Sequence, residues 1–372
     1  MKTIKTALTR YFSYPDQREG IYDLIRVFAC IGVLAAHCTP SDPGPINAFL
    51  FAVFCPSMPM FFVMSGALLL GGKEKPSDEN LLPFYLRRFE SVILPFLLYA
   101  CYWGCWIDLG HSVIQIPTAE DLSTVIRLLP TVFYENLTSV RTGHFWFVYE
   151  IIGVYLVAPF LKKGLHACST ALLKKLFFVI LTVMSITTYL PLAGINLYFT
   201  NYFAAFIIYF ILGYILTRKE IERYYPGLAI IGGIAFLFMV FWKFYFPNME
   251  IGGFYELAPH AFLYVTGLFS LCMLCKKKLT SSRKINWIFM HMAKYSFCVY
   301  IIHFAFIWHY QIQYPDYGKT ATGIILVALA VYGKALLFAI VFDNLITFNL
   351  QRLFRLAMNG LQKLFNKRVR EA

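Results

Sequence analysis

The sequence predicts an all-α integral membrane protein with about ten transmembrane helices and with both termini in the cytoplasm. Hydrophobic residues make up 59% of the 372 residues and charged residues only 14%, and the mean hydropathy is +0.61. Soluble domains are typically about half apolar. The apolar residues are also grouped into segments of membrane-crossing length, and the basic residues lie between alternate segments. These three observations together predict the fold class.

Ten apolar segments are predicted to cross the hydrocarbon core, which takes roughly 20 residues of helix. The fifth of them is short and rich in serine and threonine. The ten predicted spans are residues 21–38, 49–70, 89–108, 144–161, 175–190, 201–217, 226–246, 256–275, 287–310 and 322–349.

The basic residues predict the orientation of these spans. If the N-terminus is cytoplasmic, six segments lie on the inner side, and they hold 26 of the 33 lysines and arginines. Cytoplasmic loops carry such an excess in membrane proteins. This distribution also accounts for the net charge of +13, so no nucleic acid partner is expected. The six inner segments are 1–20, 71–88, 162–175, 218–225, 276–286 and 350–372.

Residues 1–350 are predicted to form one membrane domain, and residues 351–372 a basic amphipathic tail on the lipids of the inner leaflet. The longest stretch outside the spans is 109–142. A short helix capped by Thr118 is predicted there, as an outer lid or an interfacial helix. The nine cysteines lie mostly inside apolar segments, and their odd number and their spacing give no disulfide framework, so neither disulfides nor a zinc site is predicted.

The first span contains three ionisable residues in "DLIRVFACIGVLAAHC", which are Asp23, Arg26 and His37. Arg26 and His37 differ by about 20° around a helix axis and by roughly 16 Å along it, so the three share one stripe. One interpretation is that Arg26 reaches the inner interface and Asp23 marks the helix start. The other is that the stripe belongs to a functional site.

Other spans contribute histidines at a similar predicted depth. His144 opens the fourth span and His303 lies in the ninth, both in the outer half together with His37. Glu150 lies deeper in the fourth span and is expected to face the bundle interior, because a carboxylate in the membrane needs a partner. The group could supply a general base with its orienting partner, or be scattered interfacial histidines. No spacing of the H-E-x-x-H kind is present, so no metal is predicted.

Two further features flank the second and third spans. The pair Ser65-Gly66 in "MFFVMSGALLL" predicts close helix packing, since small residues let backbones approach. Arg87 and Arg88 precede the third span. They are interpreted either as a topology signal or as a grip on phosphates, because guanidinium forks match phosphate oxygens.

The segments taken in order resemble the acyltransferase-3 family of membrane-bound O-acyltransferases, which modify surface polysaccharides and related envelope molecules. The matching segments are DLIRVFACIGVLAAH, FFVMSG, FYLRRFESVILPF, HFWFVYE and SFCVYIIH, and they span most of the chain. The resemblance implies a multi-pass protein of the bacterial cytoplasmic membrane. Its donor would be acetyl-CoA or another acyl-CoA, a substrate and not a permanently bound cofactor. Its acceptor would be an envelope glycan or a lipid-linked sugar.

The resemblance also implies roles for individual residues. Arg26 and His37 match the pair that the family needs for activity, and Arg87 and Arg88 match the basic loop that helps to hold acyl-CoA. His37 would be the general base on an acceptor hydroxyl or a transient acyl carrier. Residues that match the remaining motifs or could orient and support this pair are Asp23, Ser65, His144, Trp146, Glu150, Tyr300 and His303.

The chain departs from the family pattern in the basic loop. A second arginine often follows three residues later, and here that position is Ser91, preceded by Glu90. Phosphate binding is therefore expected to be weaker or arranged differently. Some members carry a hydrolase-like domain outside the membrane, and no such domain is expected within these 372 residues.

A proton-coupled transporter or flippase for a lipid-linked sugar or small metabolite is the alternative function. Ten helices with buried arginine, glutamate and histidine fit a carrier as well. Carriers of this kind often show an inverted repeat and matched broken helices, and neither is evident in the sequence. The sequence therefore favours the acyltransferase.

Overall fold

The computed structural model describes most of the chain as a bundle of helices. The described residues are 19–40, 44–72, 81–107, 110, 118–138, 142–195, 206–246, 255–314 and 316–371, with side chains up to residue 360. Within these ranges every regular element is helical.

The α-helices are numbered here in chain order. They are α1 (Gly20–Cys38), α2 (Pro45–Phe54), α3 (Ser57–Leu70), α4 (Leu81–Arg88), α5 (Leu94–Tyr102), α6 (Ala119–Thr138), α7 (Trp146–His166), α8 (Thr170–Tyr189), α9 (Ile207–Leu216), α10 (Tyr225–Tyr245), α11 (Pro259–Leu274), α12 (Lys276–Leu279), α13 (Arg283–Gln313), α14 (Ala321–Phe342) and α15 (Phe348–Glu371). Short π-helical segments follow α4, α5 and α14, at Phe89–Ile93, Trp103–Ile107 and Asp343–Thr347.

Eight helical segments are long and apolar enough to cross a membrane, which confirms the predicted all-α membrane fold. They are Gly20–Cys38, Pro45–Leu70, Leu81–Ile107, Gly143–His166, Thr170–Ala193, Glu222–Tyr245, Arg283–Gln313 and Ala321–Gly360. The two other predicted spans, 201–217 and 256–275, correspond to the shorter apolar helices α9 and α11. The cytoplasmic position of the termini stays a prediction.

Helix α1 occupies the centre of the bundle, where it packs against α3, α13 and α14. Most of its residues are buried, whereas few residues of α8 and α10 are buried, so these two helices form part of the exterior. The polar stripe of the first span therefore begins inside the bundle, where Asp23 is buried and Arg26 half-buried, and it ends at the exposed His37.

Two helices of the bundle are in close backbone contact at glycines, as predicted from the pair Ser65-Gly66. A methyl group at Gly66 would overlap the carbonyl oxygen of Phe210, and one at Gly213 would overlap that of Val63. Backbones of α3 and α9 thus touch directly, which only glycine permits. This contact fixes α3, and with it Ser65, against the neighbouring helix.

The last span is joined to the third and the ninth through a buried carboxylate. Asp343 Oδ1 accepts hydrogen bonds from Tyr99 Oη at 3.1 Å and from Cys298 Sγ at 3.3 Å. Asp343 begins a π-helical segment. Its neighbour Asn344 donates to Tyr295 Oη at 3.1 Å. These polar residues of the last span hold three helices together.

The C-terminal helix continues from the last span and contacts the start of the third. Arg355 Nε lies 2.9 Å from Glu90 Oε1, and Gln351 Nε2 donates to the carbonyl oxygen of Glu90 at 2.8 Å. The inner-leaflet position predicted for residues 351–372 stays a prediction.

Candidate functional site

Three histidines from three separate elements meet in one cluster, which we call the histidine cluster: His37, His144 and His303. The ring of His303 lies 5.4 Å from that of His37 and 5.3 Å from that of His144, measured between centroids. Phe304 packs on the cluster, with its ring 4.7 Å from His37 and 4.4 Å from His144. Helix packing has thus brought together residues that are far apart in the sequence.

Helix α13 supplies the contacts that fix the cluster. His144 Nε2 lies 2.9 Å from the carbonyl oxygen of Ile301, and Tyr300 Oη donates to the carbonyl oxygen of His144. His144 stands in the short 3-10 turn Gly143–Phe145 that leads into α7. One turn of α13 therefore positions both the backbone and the ring of His144.

The hydrogen bonds also assign the tautomer of each buried ring. His303 Nδ1 contacts the carbonyl oxygen of Tyr300, which can only accept, so Nδ1 carries the proton. In the neutral ring Nε2 is then left with a lone pair. This atom is buried and has no hydrogen-bond partner among the residues that the structure describes. By the same argument, His144 carries its proton on Nε2.

His37 differs from the two other rings because it is accessible. It lies next to the last residue of α1 and is exposed, whereas His144 and His303 are buried. An exposed imidazole backed by a buried one with a vacant acceptor nitrogen can exchange protons with a hydroxyl group. This arrangement is the chemical centre of the candidate site.

A second group of residues lies toward the predicted inner side. Arg88 is half-buried, and its guanidinium carbon lies 5.7 Å from the ring centre of Phe84 and 5.5 Å from that of Tyr155. Tyr155 Oη is in turn 3.4 Å from Ser65 Oγ. Arg88 Nε is buried without a hydrogen-bond partner in the described part of the chain. We call Arg88, Phe84, Tyr155 and Ser65 the arginine cluster.

Comparison with known protein families gives a decisive match. The family model of acyltransferase-3, described as an acyltransferase domain, matches residues 20–343, which is most of the chain. No curated protein and no solved structure matches the chain. The chain belongs to the acyltransferase-3 family. The protein is therefore a membrane acyltransferase.

Arg26 and His37, the pair expected from the resemblance, both lie on α1 in this acyltransferase. Arg26 is half-buried and Asp23, one turn earlier, is buried. They lie near the start of the helix, and His37 lies near its other end, roughly 16 Å away along the axis. The stripe thus runs through the bundle core from one membrane side toward the other.

Arg87 and Arg88 have different surroundings although they are adjacent. Arg87 is exposed, while Arg88 turns into the arginine cluster. Ser91, at the position where the resemblance led us to expect a second arginine, donates from Oγ to the carbonyl oxygen of Arg87 at 2.7 Å. Glu90 forms an ion pair with Arg355 of α15. The charge of Glu90, close to Arg87 and Arg88 in the sequence, is therefore neutralised by a residue of the tail.

The prediction that Glu150 faces the bundle interior is wrong, because Glu150 is exposed. The buried face of α7 is formed by Phe147, Val148, Ile151 and Val154. Glu150 lies at the edge of that face, toward the open side of the helix. The structure therefore does not support the expected pairing of this carboxylate with the histidines. The side chains that α7 contributes near the site are aromatic rings. Trp146 is half-buried with its ring 5.0 Å from that of Phe206.

Tyr155 is a candidate site residue that the sequence reasoning missed. It stands in an apolar stretch of α7 and belongs to none of the matched motifs. Its significance comes from the packing of α7 beside α3 and α4, which brings Ser65 and Arg88 to its two sides. No local pattern in the sequence indicates this contact.

Proposed function

We propose that the protein transfers an acetyl or other short acyl group from cytoplasmic acyl-CoA to a hydroxyl group of an envelope glycan or a lipid-linked sugar. The observation that supports this proposal is that the exposed His37 lies next to the buried His303, whose Nε2 has no hydrogen-bond partner in the described part of the chain. Family membership supplies the reaction class. The donor, the acceptor and the roles of the residues are the proposal.

His37 serves as the general base in the proposed reaction. It removes the proton from the acceptor hydroxyl while the oxygen attacks the thioester carbonyl of the donor. The carbon–sulfur bond breaks, the oxygen keeps the acyl group, and the proton from His37 goes to the departing thiolate. In the alternative route a nitrogen of His37 attacks the thioester carbonyl, and the carbon–sulfur bond breaks to release the CoA thiolate. The acceptor oxygen then takes the acyl group from this nitrogen, and the hydroxyl proton goes to the thiolate.

His303 orients His37 in either route. Rotation of the exposed His37 ring can bring its N–H to the vacant Nε2 of His303, because the two ring centroids are 5.4 Å apart. A base held by a hydrogen bond to a second group keeps its other nitrogen free for the substrate. The carbonyl of Tyr300 fixes the ring of His303 and so completes the chain of contacts.

Three arginines form the part of the proposed site that would bind the acyl-CoA. Arg26, Arg87 and Arg88 lie on the predicted cytoplasmic side, where guanidinium groups suit the phosphates of acyl-CoA. The ring of Tyr155 supports Arg88 from one side. An acyl-CoA bound there would extend its pantetheine arm along α1 toward His37.

The test is acyl transfer and donor hydrolysis by purified His37→Ala and Arg26→Ala enzymes with acetyl-CoA. His309→Ala is the matched control, because His309 lies on the same helix as His303 but is exposed. Both variants should lose activity while the control keeps it. If both fold and retain near wild-type rates, the proposal fails. Thermal stabilisation by acetyl-CoA but not by sugars separates this function from a transporter.

A further inference from the structure

We infer that α6 lies along the membrane–water interface on the side of the histidine cluster, with one of its faces in the lipid. Helix α6 is not among the candidate spans, although its 20 residues would suffice to cross a membrane. It contains four charged residues and an internal Pro130. The inference rests on three distinct faces of this helix and is independent of the proposed function.

The first face of α6 packs against the protein. Val132 and Asn136 are buried, and Val125 packs against the core. Tyr149 Oη donates to the carbonyl oxygen of Asn136 at 2.8 Å, which ties the helix to the start of α7. Helix α6 also contacts α5 and the π-helical segment that ends the third span.

The second face is an apolar stripe that the protein leaves uncovered. Its five residues are spaced three or four apart, which places them on one side of a helix. They are between 38% and 67% exposed, so the described part of the protein leaves much of this apolar side uncovered. The stripe consists of Leu122, Ile126, Leu129, Phe133 and Leu137.

The third face is polar and exposed. It carries Glu120, Ser123, Arg127, Thr131 and Thr138. A helix with one apolar and one polar exposed face is suited to lie in the plane of an interface. The capping at its start agrees with this, since Thr118 and Asp121 exchange hydrogen bonds and give the helix a defined beginning outside the span.

Lipid is the occupant that the position of α6 favours. The helix is attached to the end of one membrane span and to the beginning of the next, so its depth is set at the membrane boundary. The segment that it packs on contains Trp103, whose ring lies 5.1 Å from that of His144. The stripe therefore lies at the same end of the bundle as the histidine cluster, where the membrane spans end.

The experiment places the photoreactive residue benzoylphenylalanine at Ile126 or Phe133 of the full-length protein. Matched positions on the polar face are Arg127 and Thr131, and all four are exposed. Each variant is reconstituted in nanodiscs of phosphatidylethanolamine and phosphatidylglycerol with a fluorescent phospholipid and is then irradiated. Fluorescent lipid attached to the protein is measured after gel electrophoresis.

Lipid attachment at Ile126 and Phe133 should exceed that at Arg127 and Thr131 by at least about fivefold, because only the apolar face reaches acyl chains. Equal attachment at all four positions would overturn the inference. Covalent dimers at Ile126 and Phe133 in place of lipid adducts would also overturn it, since the stripe would then contact a second copy of the chain. Two positions on each face guard against a single variant that fails to fold.

Discussion

The histidine cluster and the arginine cluster differ in what holds their side chains. In the first, Tyr300 and Ile301 of α13 offer backbone carbonyls to His303 and His144, so both rings are directed by hydrogen bonds. In the second, Arg88 is directed by the faces of aromatic rings. A carbonyl fixes one atom of its partner, while a ring face leaves a cation free to shift across it.

The two kinds of contact suit different steps of the proposed reaction. Proton transfer requires heavy atoms within hydrogen-bond reach, and rigid contacts provide that. Binding of a flexible phosphate chain tolerates movement of the cation. Changes in the histidine cluster should therefore reduce the rate of transfer, and changes in the arginine cluster should reduce the affinity for the donor.

Replacement of His37 should have the largest effect on the rate of transfer, and it tests the role of the histidine cluster. His37→Ala should lower kcat for acyl transfer by about 100-fold to 10,000-fold, the range over which a general base contributes. The affinity for acetyl-CoA, measured by calorimetry, should stay close to that of the wild type. A loss of donor affinity equal to the loss of rate would contradict the separation of the two clusters.

The second prediction separates the two nitrogens of His303. In His303→Asn the amide can still donate to the carbonyl of Tyr300, but the acceptor at Nε2 is lost. In His303→Gln an acceptor oxygen can reach the place of Nε2. We expect kcat to fall about tenfold to 100-fold for Asn and less for Gln, because the vacant nitrogen orients the base.

The opposite order would show that His303 acts through Tyr300 as a packing residue. KM for acetyl-CoA is the internal control, since neither variant alters the arginine cluster. Thermal unfolding of both variants should be compared, so that a loss of folding is not mistaken for a loss of orientation.

The sequence predicted the fold more completely than the site. Apolar length and the placement of lysine and arginine predicted ten helices, because both patterns are local and repeat along the chain. Periodicity placed Arg26 and His37 on one side of α1 for the same reason. The exposure of Glu150 could not be predicted, since it depends on which face of α7 finds neighbours. Tyr155 could not be predicted because its contacts come from α3 and α4.

The third prediction tests the weaker fixation of Arg88. Tyr155→Leu removes the ring beneath the guanidinium and should raise KM for acetyl-CoA by up to about tenfold, since a cation–π contact contributes roughly 0.5–2 kcal/mol. Tyr155→Phe keeps the ring and loses only the hydroxyl that faces Ser65, so it should stay close to the wild type. Steady-state kinetics of the two variants, with kcat unchanged in both, would sharpen the comparison.

If Tyr155→Leu lowers kcat and leaves KM unchanged, the arginine cluster affects the rate of transfer and not the affinity for the donor, which contradicts the division of roles between the two clusters. If Tyr155→Phe is as impaired as Tyr155→Leu, the contact between Tyr155 and Ser65 is the important one and the ring face is not.

The smallest expected effect concerns the ion pair between the tail and the start of the third span. Arg355→Ala leaves Glu90 without this partner and should lower the free energy of unfolding by less than about 1 kcal/mol, as is usual for ion pairs in which one side chain is solvent-exposed. Arg352→Ala is the matched control, because Arg352 is an exposed arginine on the same helix. Thermal unfolding at low and high salt measures the difference, which should shrink as salt screens the charges.

The same variant has a consequence for donor binding. An unpaired Glu90 stands close in sequence to Arg87 and Arg88 and would repel the phosphates of acyl-CoA, so KM should rise slightly for Arg355→Ala and not for Arg352→Ala. Glu90→Gln combined with Arg355→Ala should restore the wild-type KM, because the repelling charge is gone. Persistence of the higher KM in the double variant would mean that Arg355 contacts the donor itself, and the arginine cluster would then extend into the tail.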